Sequence, residues 1–183
     1  DGNLHLITAQ TGGQINELAV HYSRWDGASW SRPAAIAVSG GCSGISSMAL
    51  DRDGRVHVAM QTGKYKPLDR TGACWIAYVQ GSEGAWTEPI TISEMLKEPY
   101  GSSRIAVDRR GRIHIVWCDE DGIYYAGLVG EAWSRPVILS KNVPGPNYDP
   151  DVTIDSKDNI HVLWAAVVDG GAVDVYHTVG SMR

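Results

Sequence analysis

The chain of 183 residues has no phenylalanine, only three cysteines and no excess of basic residues. Each shortage excludes something. With 16 Lys and Arg against 21 Asp and Glu, the net charge is -5, so there is no basic face to meet a nucleic-acid backbone. The longest uncharged apolar run falls far short of the roughly 20 residues that span a bilayer, and the N-terminus carries no signal-peptide pattern. Cys42, Cys74 and Cys118 form no CxxC pair and are odd in number, which excludes a zinc site and a disulfide framework. Buried free thiols are expected, with one bridge between repeat units as the alternative. Hydrophobic residues at 43% and charged residues at 20% are those of a globular protein, not of a disordered one.

What is abundant is glycine, at 21 residues, with seven Trp and eight Tyr. Their spacing repeats. Four segments align on a histidine: Asp1-Gly-Asn-Leu-His5, Asp53-Gly-Arg-Val-His57, Arg110-Gly-Arg-Ile-His114 and Lys157-Asp-Asn-Ile-His161. Six residues before each of the last three stands an aspartate, Asp51, Asp108 and Asp155. Downstream, Tyr22, Tyr78 and Tyr125 each precede a Trp by eight residues, and Trp30, Trp86 and Trp133 open Trp30-Ser-Arg-Pro33, Trp86-Thr-Glu-Pro89 and Trp133-Ser-Arg-Pro136. Tyr176 reads as the fourth tyrosine. Such landmarks recurring in one order define repeat units of about 50 residues, at approximately 1–44, 45–101, 102–148 and 149–183.

Within the third unit, Ser103-Arg-Ile-Ala-Val107 alternates as a strand, and Asp108-Arg-Arg-Gly111 reads as a turn. Ile113-His-Ile-Val-Trp117 is apolar on both faces, Ile123-Tyr-Tyr-Ala126 is a third strand, and Trp133 to Leu139 is a fourth. Pro136 confines that fourth strand to an edge, because proline cannot donate to a ladder. Four-stranded antiparallel units at this period predict an all-β fold, a β-propeller of which about three and a half blades and fourteen strands are present. A sandwich needs no landmark in every unit, and a β-solenoid uses shorter rungs.

The D-x-x-G-x-x-H run followed by W-S-x-P resembles the sialidase-like propellers that carry neuraminidase-type (BNR) repeats, along the whole chain. It departs from the family's S-x-D-x-G-x-T-W box, since Asp51/Gly54 and Asp108/Gly111 are three apart and Asp158 replaces the fourth glycine. The Arg-Ile-Pro motif is replaced by Ser103-Arg-Ile-Ala. The resemblance implies a glycan-directed, extracytoplasmic protein and no cofactor.

Because the repeated His5, His57, His114 and His161 lie on different units, they are expected to bond neighbouring backbone or the turn aspartates, and no metal site is expected. Trp30, Trp86 and Trp133 are expected to fill gaps between blades. Function is therefore sought where the repeat breaks. Four residues before the turn aspartates stand Ser47, Arg104 and Asp151, expected on innermost strands along the central channel, with Arg104 and Asp151 either paired or, for Arg104, free to grip a carboxylate. Tyr100 and Tyr148 enter the inner strands, and with Asp151 they are the candidates for catalysis of the kind the resemblance implies, a tyrosine nucleophile. A long loop from Gln61 to Gly72 offers Lys64 and Tyr65 for binding. The leading expectation is a non-catalytic, glycan-binding module. A sialidase-like hydrolase or lyase and a protein-interaction scaffold are the alternatives. Open blades expose strand edges, so pairing with a second copy or with further blades is expected.

Overall fold

The computed structural model describes residues 2–11, 18–38, 42, 46–66, 71–82, 84–97 and 101–182. Among them, sixteen strands form four antiparallel sheets in chain order. The first holds β1 (Leu4–Thr11), β2 (Leu18–Trp25) and β3 (Ala34–Val38). The second holds β4 (Ser47–Leu50), β5 (Val56–Lys66), β6 (Thr71–Ser82), β7 (Ala85–Trp86) and β8 (Ile90–Thr91). The third repeats that plan with β9 (Ser103–Val107), β10 (Ile113–Asp119), β11 (Gly122–Val129), β12 (Ala132–Trp133) and β13 (Val137–Ile138). The fourth holds β14 (Asn147–Ile154), β15 (Ile160–Val167) and β16 (Val173–Gly180). These are consecutive blades of a β-propeller.

Sixteen strands rather than fourteen appear because proline splits the edge strand. Pro89 and Pro136 separate β7 from β8 and β12 from β13, and both pieces pair with the same neighbour, β6 or β11. The Ser or Thr after each Trp spans the break. Its hydroxyl accepts the N–H of Arg24, Gln80 or Gly127 at 3.0–3.1 Å, while its own N–H donates back to the same residue's carbonyl.

Each sheet is buried on both faces wherever it has neighbours, which is why β5 and β10 read as continuous apolar runs. One core joins the first and second sheets through Val20, Tyr22, Val56, Val58 and Val79. A second joins the second and third through Ile76, Tyr78, Ile105, Ile113 and Ile115. A third joins the third and fourth through Val116, Ile123, Val152, Val162 and Trp164.

Two expectations are corrected. Cys42 and Cys74 form a disulfide, tying the segment ahead of β4 to β6, and Cys118 alone is a free, half-buried thiol. The described part of the expected loop is strand, not loop: Gln61 to Lys66 continue β5 and Thr71 and Gly72 open β6, the two paired from Val56↔Gly81 to Lys66↔Thr71. Gly63 permits it: a Cβ there would lie 2.1 Å from the Ala73 carbonyl oxygen. The turn aspartates nucleate the β4–β5, β9–β10 and β14–β15 turns, since one carboxylate oxygen of each accepts two backbone N–H groups at 2.7–2.9 Å. Asp158 occupies at φ 62° the left-handed position that Gly54 and Gly111 fill in the other two turns.

Candidate functional site

The histidine, tyrosine and aspartate landmarks meet in relays. His57 Nδ1 bonds the Tyr78 hydroxyl (2.6 Å), which also reaches Gln80 Oε1 (3.1 Å), and Nε2 bonds Asp51 (3.2 Å). His114 makes the same contacts with Tyr125 (2.9 Å) and Asp108 (3.4 Å). His5 bonds Tyr22 at 2.7 Å, and its Nε2 has no partner among the described residues. In the fourth sheet the partner of His161 is His177 at 3.1 Å, not Tyr176. The register agrees: Leu163 opposes His177, as Ala59 opposes Tyr78 and Val116 opposes Tyr125. Tyr176 instead stacks on Trp164.

A Tyr–His–Asp chain has the outline of an activated nucleophile, but its surroundings give it a different role. Burial pushes Tyr125 up to about 12 and raises Tyr78 further, so neither ionises readily. The next sheet then seals the Tyr rings: Trp86 packs edge-on against Tyr22 at 5.1 Å, and Trp133 against Tyr78 at 5.2 Å. These relays hold the joints between sheets.

They also set an acid limit. Burial holds His57 and His114 below their ordinary 6.5, outweighing the opposing pull of Asp51 and Asp108. Burial works against ionised Asp51 and Asp108, yet backbone N–H donors, the imidazoles and, for Asp108, the Arg112 side chain hold both below 3.8. As pH falls through 6.5 the unfolded chain takes up protons at these histidines while the folded chain does not. Stability should therefore fall, by up to about 1.4 kcal/mol per pH unit for each histidine. Thermal unfolding followed between about pH 7.5 and 5.5 checks this, and an unchanged midpoint would contradict it.

Of the residues expected to carry function, most share one end of the sheets, opposite the aspartate turns. Arg104, near the start of β9, pairs across with Val116 in the middle of β10, and Lys64, exposed, pairs with Ala73 at the far end of β5. Tyr65 lies on the same stretch of β5, and Tyr148, half-buried, opposes Ala165. Tyr100 lies outside the described residues. Of the two alternatives for Arg104, pairing with Asp151 is not found among the described residues. Arg104 donates to the Ser103 carbonyl at 3.1 Å, and exposed Asp151 accepts the Val152 N–H at 3.0 Å. The Ser47 hydroxyl is buried without a partner among the described residues. Inner-strand side chains alternate between the neighbouring sheets, Ile105 toward the second and Ala106 toward the fourth. An inner strand therefore presents its edge to the axis.

At the same end lies a cleft of about 590 Å³ that the sequence pattern did not reveal. One wall is the connection Ser93 to Lys97 leaving the second sheet, and the other is the β10–β11 hairpin with Arg135 to Ile138. The Trp117 and Tyr124 rings, opposite each other on that hairpin, stack at 5.6 Å with planes 9° apart. Trp117 is buried, so half-buried Tyr124 is the ring that reaches the opening. Lys97 lines the cleft while remaining exposed: its ammonium pairs with Asp121, and its N–H donates to both Asp119 oxygens at 2.9 and 3.2 Å. The ammonium–carboxylate bond raises Lys97 and lowers Asp121 from their ordinary values. Burial, then the nearby aspartates, raises Tyr124, whose hydroxyl donates to Asp121 at 3.4 Å. Among the described residues, no three His, Cys, Asp or Glu side chains are grouped to hold a metal ion.

No family model matches the sequence. No curated protein matches it either. Several solved structures are similar in fold. An ulvan lyase, a polysaccharide lyase, is 16% identical with a TM-score of 0.62, covering 97% of this chain and 49% of its own. A Hadza microbial sialidase is 16% identical with a TM-score of 0.56, over 97% of this chain and 42% of its own. A Dyadobacter fermentans protein of unknown function is 14% identical with a TM-score of 0.60, over 93% and 63%. The chain thus spans 42 to 63% of the length of these structures, and at such identity the likeness shows the fold alone.

Proposed function

We propose that this chain is a non-catalytic, glycan-binding part of an extracytoplasmic propeller, with its sugar held in the cleft between the second and third sheets. The observation that carries the reading is the Tyr124 ring, braced from behind by Trp117 and flanked by Asp119, Asp121, Lys97 and Arg135. A pyranose offers an apolar ring face and a rim of hydroxyls, which matches an aromatic platform beside charged hydrogen-bonding groups. The likeness in fold to a lyase and a sialidase that act on glycans supports the same class of ligand.

The state of Asp121 supports the non-catalytic reading. A glycosidase acid needs a carboxyl whose proton is retained near neutrality, whereas the Lys97 ammonium keeps this one ionised. On an immobilised panel of glycans, the protein should retain at least one sugar class, and Tyr124→Ala should weaken that retention about tenfold or more, a loss of roughly 1.4 kcal/mol. Release of a fluorogenic aglycone by the wild-type protein would overturn the non-catalytic reading, and equal retention by Tyr124→Ala would overturn the site.

A further inference from the structure

The cleft proposed to hold sugar carries a charge pattern that limits which sugars fit. Among the described residues, three carboxylates line it, those of Glu94, Asp119 and Asp121, against two cations, Lys97 and Arg135. The Lys97 charge is already matched, since its ammonium pairs with Asp121. Arg135 is exposed, and water and salt weaken the pull of a guanidinium placed there. At the aromatic platform the aspartates dominate. After burial, Asp121 and then Asp119 raise the Tyr124 hydroxyl, and Lys97 opposes them more weakly.

Hydrogen bonding points the same way. Ionised carboxylates only accept, so these walls ask their ligand for donors. Sugar hydroxyls donate as well as accept, whereas the oxygens of a uronate or sulfate group only accept. Met95 and Ile138, 58% and 39% exposed, add apolar surface to the same cleft, and a charged group laid on it would lose water without gaining a partner. From this balance we infer that the cleft takes non-acidic, hydrogen-donating sugars and turns away uronates and sulfated sugars. The inference rests on the cleft being the sugar site and adds the class of sugar. An acidic group over Tyr124 would meet Asp119 and Asp121, and like charges brought together out of water repel strongly.

The test is retention on immobilised neutral polysaccharides (galactan, mannan and glucan), chitosan, a polyuronate and a sulfated galactan, each with wild type and Tyr124→Ala. A neutral glycan or chitosan should be retained best and should depend on Tyr124. Loss of that retention on raising the salt from about 0.05 to 0.5 M would mark the amino sugar, and its persistence the neutral one. Glu94→Lys, at an exposed side chain, should raise retention of the polyuronate relative to the neutral glycan about threefold or more. An unchanged ratio would overturn the inference. Best retention of an acidic glycan, lost in Tyr124→Ala, would overturn it too while leaving the cleft as the sugar site. Retention that Tyr124→Ala does not reduce, or no retention of any class, would overturn the cleft itself and this inference with it.

Discussion

Asp108→Ala should lower the unfolding free energy by about 3–5 kcal/mol, the largest loss expected from any single carboxylate in the chain. The Asp108 side chain is fully buried. One oxygen accepts the N–H groups of Arg110 and Arg112 at 2.8 and 2.9 Å, and the other meets the Arg112 guanidinium and His114 Nε2. Alanine would leave a buried cation and two N–H groups without this acceptor, a cost that greatly exceeds the net worth of one hydrogen bond. Arg112 would keep its bond to the Met182 carbonyl at 2.7 Å, so the third and fourth sheets would stay linked there while the turn loosens. Asp155→Ala, at a partly exposed copy of the same position, should cost less. Urea unfolding followed by tryptophan fluorescence measures both, and a loss below about 1 kcal/mol for Asp108→Ala would contradict the buried-relay reading.

Trp133→Ala should cost about 3–4 kcal/mol, because it opens a cavity and removes an aromatic pair at the joint of the second and third sheets. The ring meets Tyr78 edge-on with planes 68° apart and packs on the core that contains Ile76, Ile113 and Ile115. Tyr78 is held in turn by His57, so removing the indole uncovers a hydrogen-bonded phenol as well as apolar surface. The cavity should also admit water to the relay. Calorimetric unfolding of Trp133→Ala beside Trp133→Phe checks this. The phenyl ring should recover a good part of the loss, and equal midpoints for wild type and Trp133→Ala would refute the joint.

The periodicity that makes these joints was legible in the sequence because it is local. An aspartate that nucleates its own turn and a histidine six residues on lie within reach along the chain, so spacing alone predicts that they meet. The aspects that escaped were set across strands. The hydrophobic pattern does not show that the hairpin continues to Lys66, since Gln61, Gly63 and Lys64 break the apolar run and strand pairing with Thr71 to Ile76 carries it on. Counting tyrosines slipped by one at Tyr176, because adjacent Tyr176 and His177 face opposite sides of β16 and only register shows which side carries the relay. The Cys42–Cys74 bridge spans 32 residues with no spacing signature. The cleft was hidden for a related reason. Lys97 leaves one sheet, Asp119 ends a strand of the next, and their meeting depends on how two sheets pack. A partial signal was present: Trp117 and Tyr124 flank the turn Asp119 to Gly122, and a hairpin places such residues side by side.

Where a sugar sits decides the proposed function most directly. A nitrogen–proton correlation spectrum, recorded while titrating the best glycan from the panel, locates it residue by residue. Lys97, Asp119, Asp121 and Tyr124 should shift together and saturate at one affinity, with the backbone of Arg104 and Asp151 undisturbed. Shifts gathered at Arg104, Asp151 and Tyr148 instead, with the cleft silent, would contradict it.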